Sequence, residues 1–280
     1  MKSGGAYPGT QAVLRAVSLL KAFTAESPEL RLQQLSRGAG LNKTTAYRLL
    51  TALESEGMVE RSPAGEAWRL GAETVALGRR ALGGADLRSA ARGELVRLAA
   101  ETRETVTLEV LAGAETLILD EVMGSYVVGT MPSVGTRWPA HATSTGKALL
   151  AELTGEGRAA LLPARLARPT PRSIGDRAAL ERELQRVRER GHAASVEELE
   201  PGFAAVGAVV RSAAGAPVGA ISVGGPRSRL TPARMADLGR RVPAAAARIS
   251  ARLGHGEENG HGARVPVASR KARVSCGRRP

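Results

Sequence analysis

The stretch that decides the fold of this chain reads Leu30-Arg-Leu-Gln-Gln-Leu-Ser-Arg-Gly-Ala-Gly-Leu41 and continues as Asn42-Lys-Thr-Thr-Ala-Tyr-Arg-Leu-Leu-Thr-Ala-Leu-Glu54. Its apolar spacing predicts a short helix from about Leu32 to Arg37 and a second helix that begins after Asn42. Gly38 and Gly40 lie where the chain must turn sharply, and glycine reaches positive φ there at little steric cost. Asn42 suits the N-cap, because its side-chain oxygen can accept a free amide of the next turn. This order is typical of a helix-turn-helix unit.

The second helix of the pair has an apolar face and a polar face. Ala46, Leu49, Leu50 and Leu53 recur at the spacing of a buried helical stripe. The polar face carries side chains of the kinds that contact phosphates and base edges, concentrated at the helix start. These candidate DNA-binding residues are Asn42, Lys43, Thr44, Thr45, Tyr47, Arg48 and Thr51. The alternative interpretation is a small solvated helix in an enzyme.

A β-wing and a leading helix are predicted on either side of this pair. Val59, Arg61, Trp68 and Leu70 alternate around a turn at residues 63–65, as in a hairpin. Arg61 and Arg69 are either phosphate contacts or ordinary surface charges. In the leading helix Val13, Val17 and Leu20 share one face, which we expect to pack on the helix pair and to join a dimer seam.

Composition favours a polyanionic partner. The formal net charge is +13, of which the stretch after Leu253 supplies part through six basic residues against two acidic ones. The single cysteine, Cys276, excludes an intramolecular disulfide and fits a reducing cytoplasm. No apolar run is long enough to span a bilayer, and the N-terminus lacks the apolar core of a signal peptide. We therefore expect a cytoplasmic protein, associated with the bacterial nucleoid, and no membrane partner.

The 280 residues suit two domains of ordinary size. We expect disordered ends at residues 1–9 and 254–280, a winged helix-turn-helix over 10–72, a linker helix over 73–86 and a mixed α/β domain over 87–253, with the boundary at Gly83-Gly84. In the last of these the pattern predicts strands at 105–111, 115–122, 126–131, 204–211 and 217–223. It predicts helices at 87–102, 143–153, 176–190 and 231–253. The fold class is therefore α+β.

One segment of the second domain is rich in potential chemistry. It reads His141-Ala-Thr-Ser-Thr-Gly-Lys147. Ser144 as a nucleophile with His141 or Lys147 as base is conceivable, but no Gly-x-Ser-x-Gly elbow or acidic partner accompanies it. Free amides and hydroxyls at a helix start favour binding of a carboxylate or similar anion. The plain alternative is that Thr143 caps the helix and His141 bonds to the backbone.

Two other features of this domain are less specific. Glu197, Glu198 and Glu200 form an acidic cluster that suits metal binding or acid–base work, but no His or Asp lies close in sequence, and an exposed loop is the preferred interpretation. Ser222 lies inside a predicted strand, where an inward hydroxyl suits a polar ligand or a backbone group. We expect no catalytic residue, no metal site and no cofactor.

Together these motifs resemble the IclR-type bacterial transcriptional regulators over roughly residues 10–253. The resemblance rests on Asn42-Lys-Thr-Thr-Ala-Tyr-Arg-Leu-Leu, His141-Ala-Thr-Ser-Thr-Gly-Lys-Ala-Leu-Leu, Glu198-Leu-Glu-Pro-Gly and Ala220-Ile-Ser-Val-Gly-Gly-Pro, in this order. It implies a winged helix-turn-helix followed by a GAF-like effector-binding domain. It also implies a homodimer or homotetramer, a palindromic double-stranded DNA operator, and a small-molecule effector that is a carboxylate or an aromatic metabolite.

The resemblance also implies an effector pocket. It places the ligand among Ser144, Thr145, Ser195, Phe203, Ala205 and Ser222. Some relatives carry an acidic residue at the position of Ser195, a cysteine at that of Ala205 and a serine at that of Gly224. We therefore expect a less polar pocket, and a ligand that is larger or less charged than a small oxo-acid, or no ligand.

The function expected from these observations is sequence-specific DNA binding that a bound metabolite modulates. Two other classes stay open. One is a small-molecule-converting enzyme with an accessory DNA-binding domain. The other is a ligand-independent architectural DNA-binding protein that uses its Arg-rich tail.

Overall fold

The computed structural model describes residues 10–24, 27–62, 65–81, 87–125 and 134–256. Its N-terminal part confirms the predicted helix pair and wing. The elements are α1 (Gln11–Leu20), β1 (Glu29–Arg31), α2 (Leu32–Gly38), α3 (Lys43–Ser55), β2 (Val59–Arg61) and β3 (Ala67–Leu70). Strand β1 was not predicted; it pairs antiparallel with β3, so the sheet order is β1-β3-β2. Gly40 has a φ of +64°, as the turn requires, whereas the turn expected at Gly38 is wrong because Gly38 ends α2.

The core of this part is small and built around α3. Its buried members are Leu19, Leu35, Ala46, Leu50, Val59 and Trp68. The expectation that Val13 and Val17 pack on the helix pair is wrong, because they are 63% and 40% exposed while Leu19 is buried. Leu20, the third member of the predicted face, is partly buried against the core, so only this end of the face packs on the helix pair.

A helix follows the wing, as predicted, and a longer one opens the second domain. Helix α4 (Ala72–Ala81) begins one residue before the expected linker, and α5 (Leu87–Thr102) has the predicted bounds. The Gly83-Gly84 boundary lies outside the described residues. So do the predicted strand at 126–131, both expected disordered ends apart from residues 254–256, and the centre of the wing turn.

Six described strands of the second domain form one antiparallel sheet in the order β6-β5-β4-β9-β8-β7. They are β4 (Thr105–Ala112), β5 (Glu115–Val122), β6 (Arg137–Pro139), β7 (Ala193–Val196), β8 (Phe203–Arg211) and β9 (Pro217–Pro226). The two edge strands were not predicted, because three or four residues are too few to show a period of two. The central strands β4 and β9 pair in register, with Thr107 opposite Ser222.

Helices cover both faces of this sheet. On one face α5 and α9 (Pro232–Arg252) pack on the apolar side chains of the central strands, among them Val106, Leu108 and Ile221. On the other face lie α6 (Ser144–Glu152), α7 (Gly155–Leu161) and α8 (Arg177–Arg190), with a core centred on Leu150 and Leu184. Helix α7 was not predicted. None of the described helices is long and apolar enough to cross a membrane.

Candidate DNA interface and effector cavity

The start of α3 is a capped and exposed helix end. The amide of Thr45 donates to Asn42 Oδ1 at 2.8 Å, which confirms the predicted N-cap. Lys43, Thr44, Tyr47 and Arg48 are exposed, whereas Ala46 on the inner face is buried. Thr51, one turn further on, is exposed as well and donates to the carbonyl of Tyr47. The structure thus brings the predicted residues of α3 together on one solvent-facing surface, with Thr45 partly buried.

The two wing arginines are both engaged within the domain. The guanidinium of Arg61 lies 4.2 Å from the ring centre of Trp68 and 5.7 Å from that of Tyr47. It also donates to Tyr47 Oη at 3.5 Å. Arg69 pairs with Glu60 at 2.7 Å. Arg61 therefore links the wing to the outer face of α3, and a phosphate contact by either arginine would have to share these partners.

In the second domain all six residues assigned to an effector pocket line one cavity of about 320 Å³. The cavity lies between the start of α6 and the inner faces of β4, β5, β7, β8 and β9. Its other described lining residues are Thr105, Thr107, Glu109, Ile118, Glu121, Trp138, Thr143, Leu199, Glu200 and Gly224. Its volume is at the lower end of the range for small-molecule sites.

Close packing places the start of α6 against the sheet. The Thr143 hydroxyl accepts the amide of Gly146 at 3.0 Å and so caps the helix. A side chain at Gly207 of β8 would lie 2.9 Å from the backbone nitrogen of Thr145, so only glycine admits the helix this closely. Ser144 and Thr145 are consequently buried, and they face the cavity rather than solvent.

The potential catalytic group does not assemble around Ser144. His141 donates through Nε2 to the carbonyl of Ala167 at 2.7 Å, as the plain interpretation expected. The ammonium of Lys147 donates to Glu198 Oε1 at 2.6 Å. Neither base is among the hydrogen-bond partners of the Ser144 hydroxyl in the described part of the chain, so the structure offers no activated nucleophile there.

A glycine and a phenylalanine shape the far wall of the cavity. A Cβ at Gly224 would lie 2.6 Å from the ring of Phe203 and 3.3 Å from the Cβ of Ala205. The Phe203 ring therefore fills the space that a serine at position 224 would need.

The cavity also contains acidic side chains that are not among the six assigned pocket residues. Glu109 of β4 is 5% exposed and lines the cavity, as do Glu121 and Glu200. Side chains alternate between the two faces of β4, and Thr105, Thr107 and Glu109 lie on its polar face. Such a face of an antiparallel strand usually faces water. Here α6 covers that face of a central strand, so the polar side chains turn into a cavity. The central position of β4 in the sheet is the signal that would have revealed them.

A β-bulge brings a second strand, β5, into the acidic lining. The pairing of β5 with β4 shifts register, with Leu108 opposite Asp120 and Glu109 opposite Ile118. One extra residue reverses the side-chain alternation of β5. Ile118 and Glu121 therefore both face the cavity although they are three residues apart.

The acidic cluster at 197–200 lies in a loop, as expected, but Glu198 within it forms an ion pair with a buried lysine. The side chain of Glu198 is 13% exposed and pairs with Lys147, whose side chain is 1% exposed. Burial raises the pKa of Glu198, although the Lys147 charge and hydrogen bond act in the opposite direction. Glu197 accepts the amide of Gly202 and pairs with Arg172, and Glu200 alone of the three is exposed. The preferred interpretation was thus wrong for Glu198, because its partner lies inside α6.

No described group of three or more His, Cys, Asp or Glu side chains is arranged to hold a metal ion. The site is instead a pair of ligand surfaces: an exposed helix start with basic side chains and a small acidic cavity.

This combination of a winged helix-turn-helix and a ligand cavity in a sheet domain defines a bacterial transcriptional regulator with an effector-binding domain. Two family models match the chain. The IclR helix-turn-helix domain covers residues 12–63, and the model described as bacterial transcriptional regulator IclR C-terminal covers residues 79–251. The chain belongs to the IclR family, and its second domain is the GAF-like effector-binding domain that the resemblance implied.

Individual relatives agree along nearly the whole chain. The chain is 31% identical over 249 residues to the HTH-type transcriptional regulator XynR of Escherichia coli, covering 89% of this chain and 99% of XynR. It is 30% identical to the transcriptional repressor IclR of the same organism, over 87% of this chain and 90% of the repressor. A crystal structure of an IclR homologue from Microbacterium hydrocarbonoxydans, complexed with 4-hydroxybenzoate, matches with a TM-score of 0.72 and 28% identity, over 86% of this chain and 98% of that one.

Proposed function

We propose that this regulator binds a palindromic operator as a homodimer or homotetramer and that a small molecule in the cavity of the second domain changes its operator affinity. The observation that carries the proposal is the convergence of six assigned residues on one cavity. They come from four separate segments of the chain, at 144–145, 195, 203–205 and 222, and meet beside the buried start of α6.

The DNA contacts follow from the exposed face of α3. Lys43 and Arg48 supply the positive charge that neutralises phosphates, which dominates affinity. Thr44, Thr45 and Tyr47 lie at the start of the helix, where recognition helices reach base edges. Asn42 and Thr51 extend this surface, while Arg61 and Arg69 extend it onto the wing.

The effector acts by linkage. Two recognition helices of a dimer reach successive major grooves about 34 Å apart. A ligand that binds one arrangement of the paired domains better than the other changes operator affinity by a coupling of typically 1–3 kcal/mol. Such a protein acts where its operator is, on the bacterial nucleoid in the cytoplasm, and needs no catalytic turnover. The enzyme alternative is disfavoured because the bases near Ser144 are engaged elsewhere.

The test begins with selection of operator fragments from the source genome by the purified protein. A single palindromic motif is the expected result, whereas sequence-indifferent recovery at moderate salt would favour the architectural alternative. Deletion of residues 254–280 separates the two, because the tail should not be needed for selective binding.

Arg48→Ala then tests the interface on the selected operator. We expect weaker binding and a salt slope reduced by about one, as for the loss of one phosphate contact. Arg240→Ala is the matched control, because it removes the same charge from an exposed site on α9. Equal affinity of Arg48→Ala and Arg240→Ala at moderate salt would show that the assignment of Arg48 to DNA contact is wrong.

A further inference from the structure

The hydroxyl groups beside Glu109 have their hydrogens engaged in hydrogen bonds to other side chains of the wall. Thr107 donates to Glu109 Oε1 at 2.8 Å and Thr145 donates to Oε2 at 2.5 Å. Ser222 Oγ lies 2.9 Å from Thr107 Oγ1. A hydroxyl has one hydrogen, and that of Thr107 is already given to Glu109, so Ser222 must be the donor in this contact.

A fourth hydroxyl on the lining is committed in the same way. Ser195 donates to the carbonyl of Ala142 at 2.8 Å. The wall formed by Glu109, Thr107, Ser222 and Ser195 therefore has lone pairs to offer a ligand and no spare hydrogen. A ligand group placed against this wall must bring its own N–H or O–H donors, because an acceptor would be left unsatisfied at a cost.

The start of α6 already has a carboxylate beside it. Glu109 bonds to Thr145, the second residue of the helix, and so lies where the positive end of the helix dipole favours an anion. The Ser144 hydroxyl next to it is 2% exposed, lines the cavity and has no hydrogen-bond partner among the described residues. A polar ligand group could therefore form a hydrogen bond with the Ser144 hydroxyl. A carboxylate in that place would be repelled by the negative charge of Glu109.

The remaining lining agrees with this charge. Glu121 and Glu200 are acidic, and no lysine, arginine or histidine is among the lining residues of the described chain. Trp138 and Phe203 add two aromatic rings. Carboxylates and aromatic faces together favour a cation, which the rings attract through their quadrupoles.

We propose that the cavity binds a small organic ammonium ion, with its N–H groups toward Glu109 and Ser144 and its apolar body against Trp138 and Phe203. An ammonium group has three donors and no acceptor, which matches the acceptor wall. The proposal rests on the effector role given to this cavity above. It sets this chain apart from its relative that was crystallised with 4-hydroxybenzoate.

The test uses three probes of one size: benzylamine, benzyl alcohol and benzoate, titrated calorimetrically into the full-length protein at about pH 7. We expect benzylamine to bind at least about tenfold more tightly than benzyl alcohol, and benzoate to bind most weakly. Glu109→Gln should lower the affinity for benzylamine about ten- to a hundredfold. The ratio of benzylamine affinity to benzoate affinity should fall as well. Glu200→Gln, at an exposed position, should act in the same direction with a smaller effect. Glu156→Gln, an exposed carboxylate on α7, is the matched control and should change nothing.

Each other outcome overturns the proposal. Benzoate equal to or tighter than benzylamine, equal binding of amine and alcohol, no binding of any probe, or unchanged ratios in both cavity variants would each do so. Operator binding is measured separately by fluorescence anisotropy. If it persists while benzoate is preferred, the inferred ligand class is wrong and the proposed function stands. If no operator is bound, the proposed function fails whichever probe binds.

Discussion

Two helices of this molecule begin with the same local design and end up in opposite environments. In α3 Asn42 caps the amide of Thr45 at 2.8 Å, and in α6 Thr143 caps the amide of Gly146 at 3.0 Å. Hydroxyl residues and a lysine stand in the first turns of both. The start of α3 is exposed beside basic side chains, whereas the start of α6 is buried beside Glu109. A helix start favours anions in general, but here its surroundings decide: a polyanion for α3, and a protein carboxylate already in place for α6.

The largest difference in stability between the two helix starts is expected on substitution of their lysines, Lys147 in α6 and Lys43 in α3. Lys147→Met should lower the free energy of unfolding by about 3–5 kcal/mol, because it leaves Glu198 largely buried without its partner at 2.6 Å. Lys43→Met should change stability by less than about 0.5 kcal/mol, because Lys43 is exposed. It should instead weaken operator binding. Urea unfolding and anisotropy titration of both variants check the pair.

A double variant distinguishes charge from packing. Lys147→Met with Glu198→Gln should recover much of the loss, because no buried charge is then unpaired. If the double variant is as unstable as the single one, the unpaired charge of Glu198 is not the cause of the loss.

The next largest difference in stability is expected on substitution of the third residue of each helix by alanine. A Cβ at Gly146 would overlap the backbone carbonyl of Ala140, so Gly146→Ala should cost about 2–3 kcal/mol of stability. Thr45→Ala removes side-chain atoms from a partly buried site and keeps the cap, so it should cost less than about 1 kcal/mol. Thermal unfolding of the two variants decides the point, and equal shifts in Tm would mean that the burial of α6 imposes no special demand.

A smaller effect is expected where the wing braces α3. Arg61→Met removes the cation from between Tyr47 and Trp68 and should cost about 1 kcal/mol, measured as stability or as operator affinity. Arg69→Met is the control, because its pair with Glu60 is half exposed and surface pairs contribute little. A larger loss of operator affinity in Arg69→Met than in Arg61→Met would assign the phosphate contact to Arg69.

These two helix starts also show what the sequence can predict. The cap of α3, its buried stripe and the bounds of α5 follow from local spacing, and the structure confirms them. The polar alternation of β4 was equally visible, but its meaning depends on which element covers the strand. Glu109 could therefore not be assigned to the cavity from local spacing, because its partner Thr145 is 36 residues away. The pair of Lys147 with Glu198 escaped for the same reason, at a separation of 51 residues.

The smallest expected effect is a pH dependence confined to the buried helix start. Because burial raises the folded-state pKa of Glu198 above its ordinary value of 4.5, the folded protein binds a proton in a window where the unfolded chain does not. This contribution to the free energy of unfolding therefore grows as pH falls through the raised pKa, and is lost as pH rises again. His192, whose pKa burial lowers, contributes the opposite slope below its ordinary value of 6.5. His192 is common to wild type and Glu198→Gln, so the difference between their urea-unfolding curves, measured from about pH 7 down to pH 4.5, isolates Glu198. We expect the wild type to gain stability relative to the variant on acidification. If the free energy of unfolding of the wild type instead falls relative to that of the variant as pH falls, the ion pair with Lys147 has a larger effect on the pKa of Glu198 than burial has.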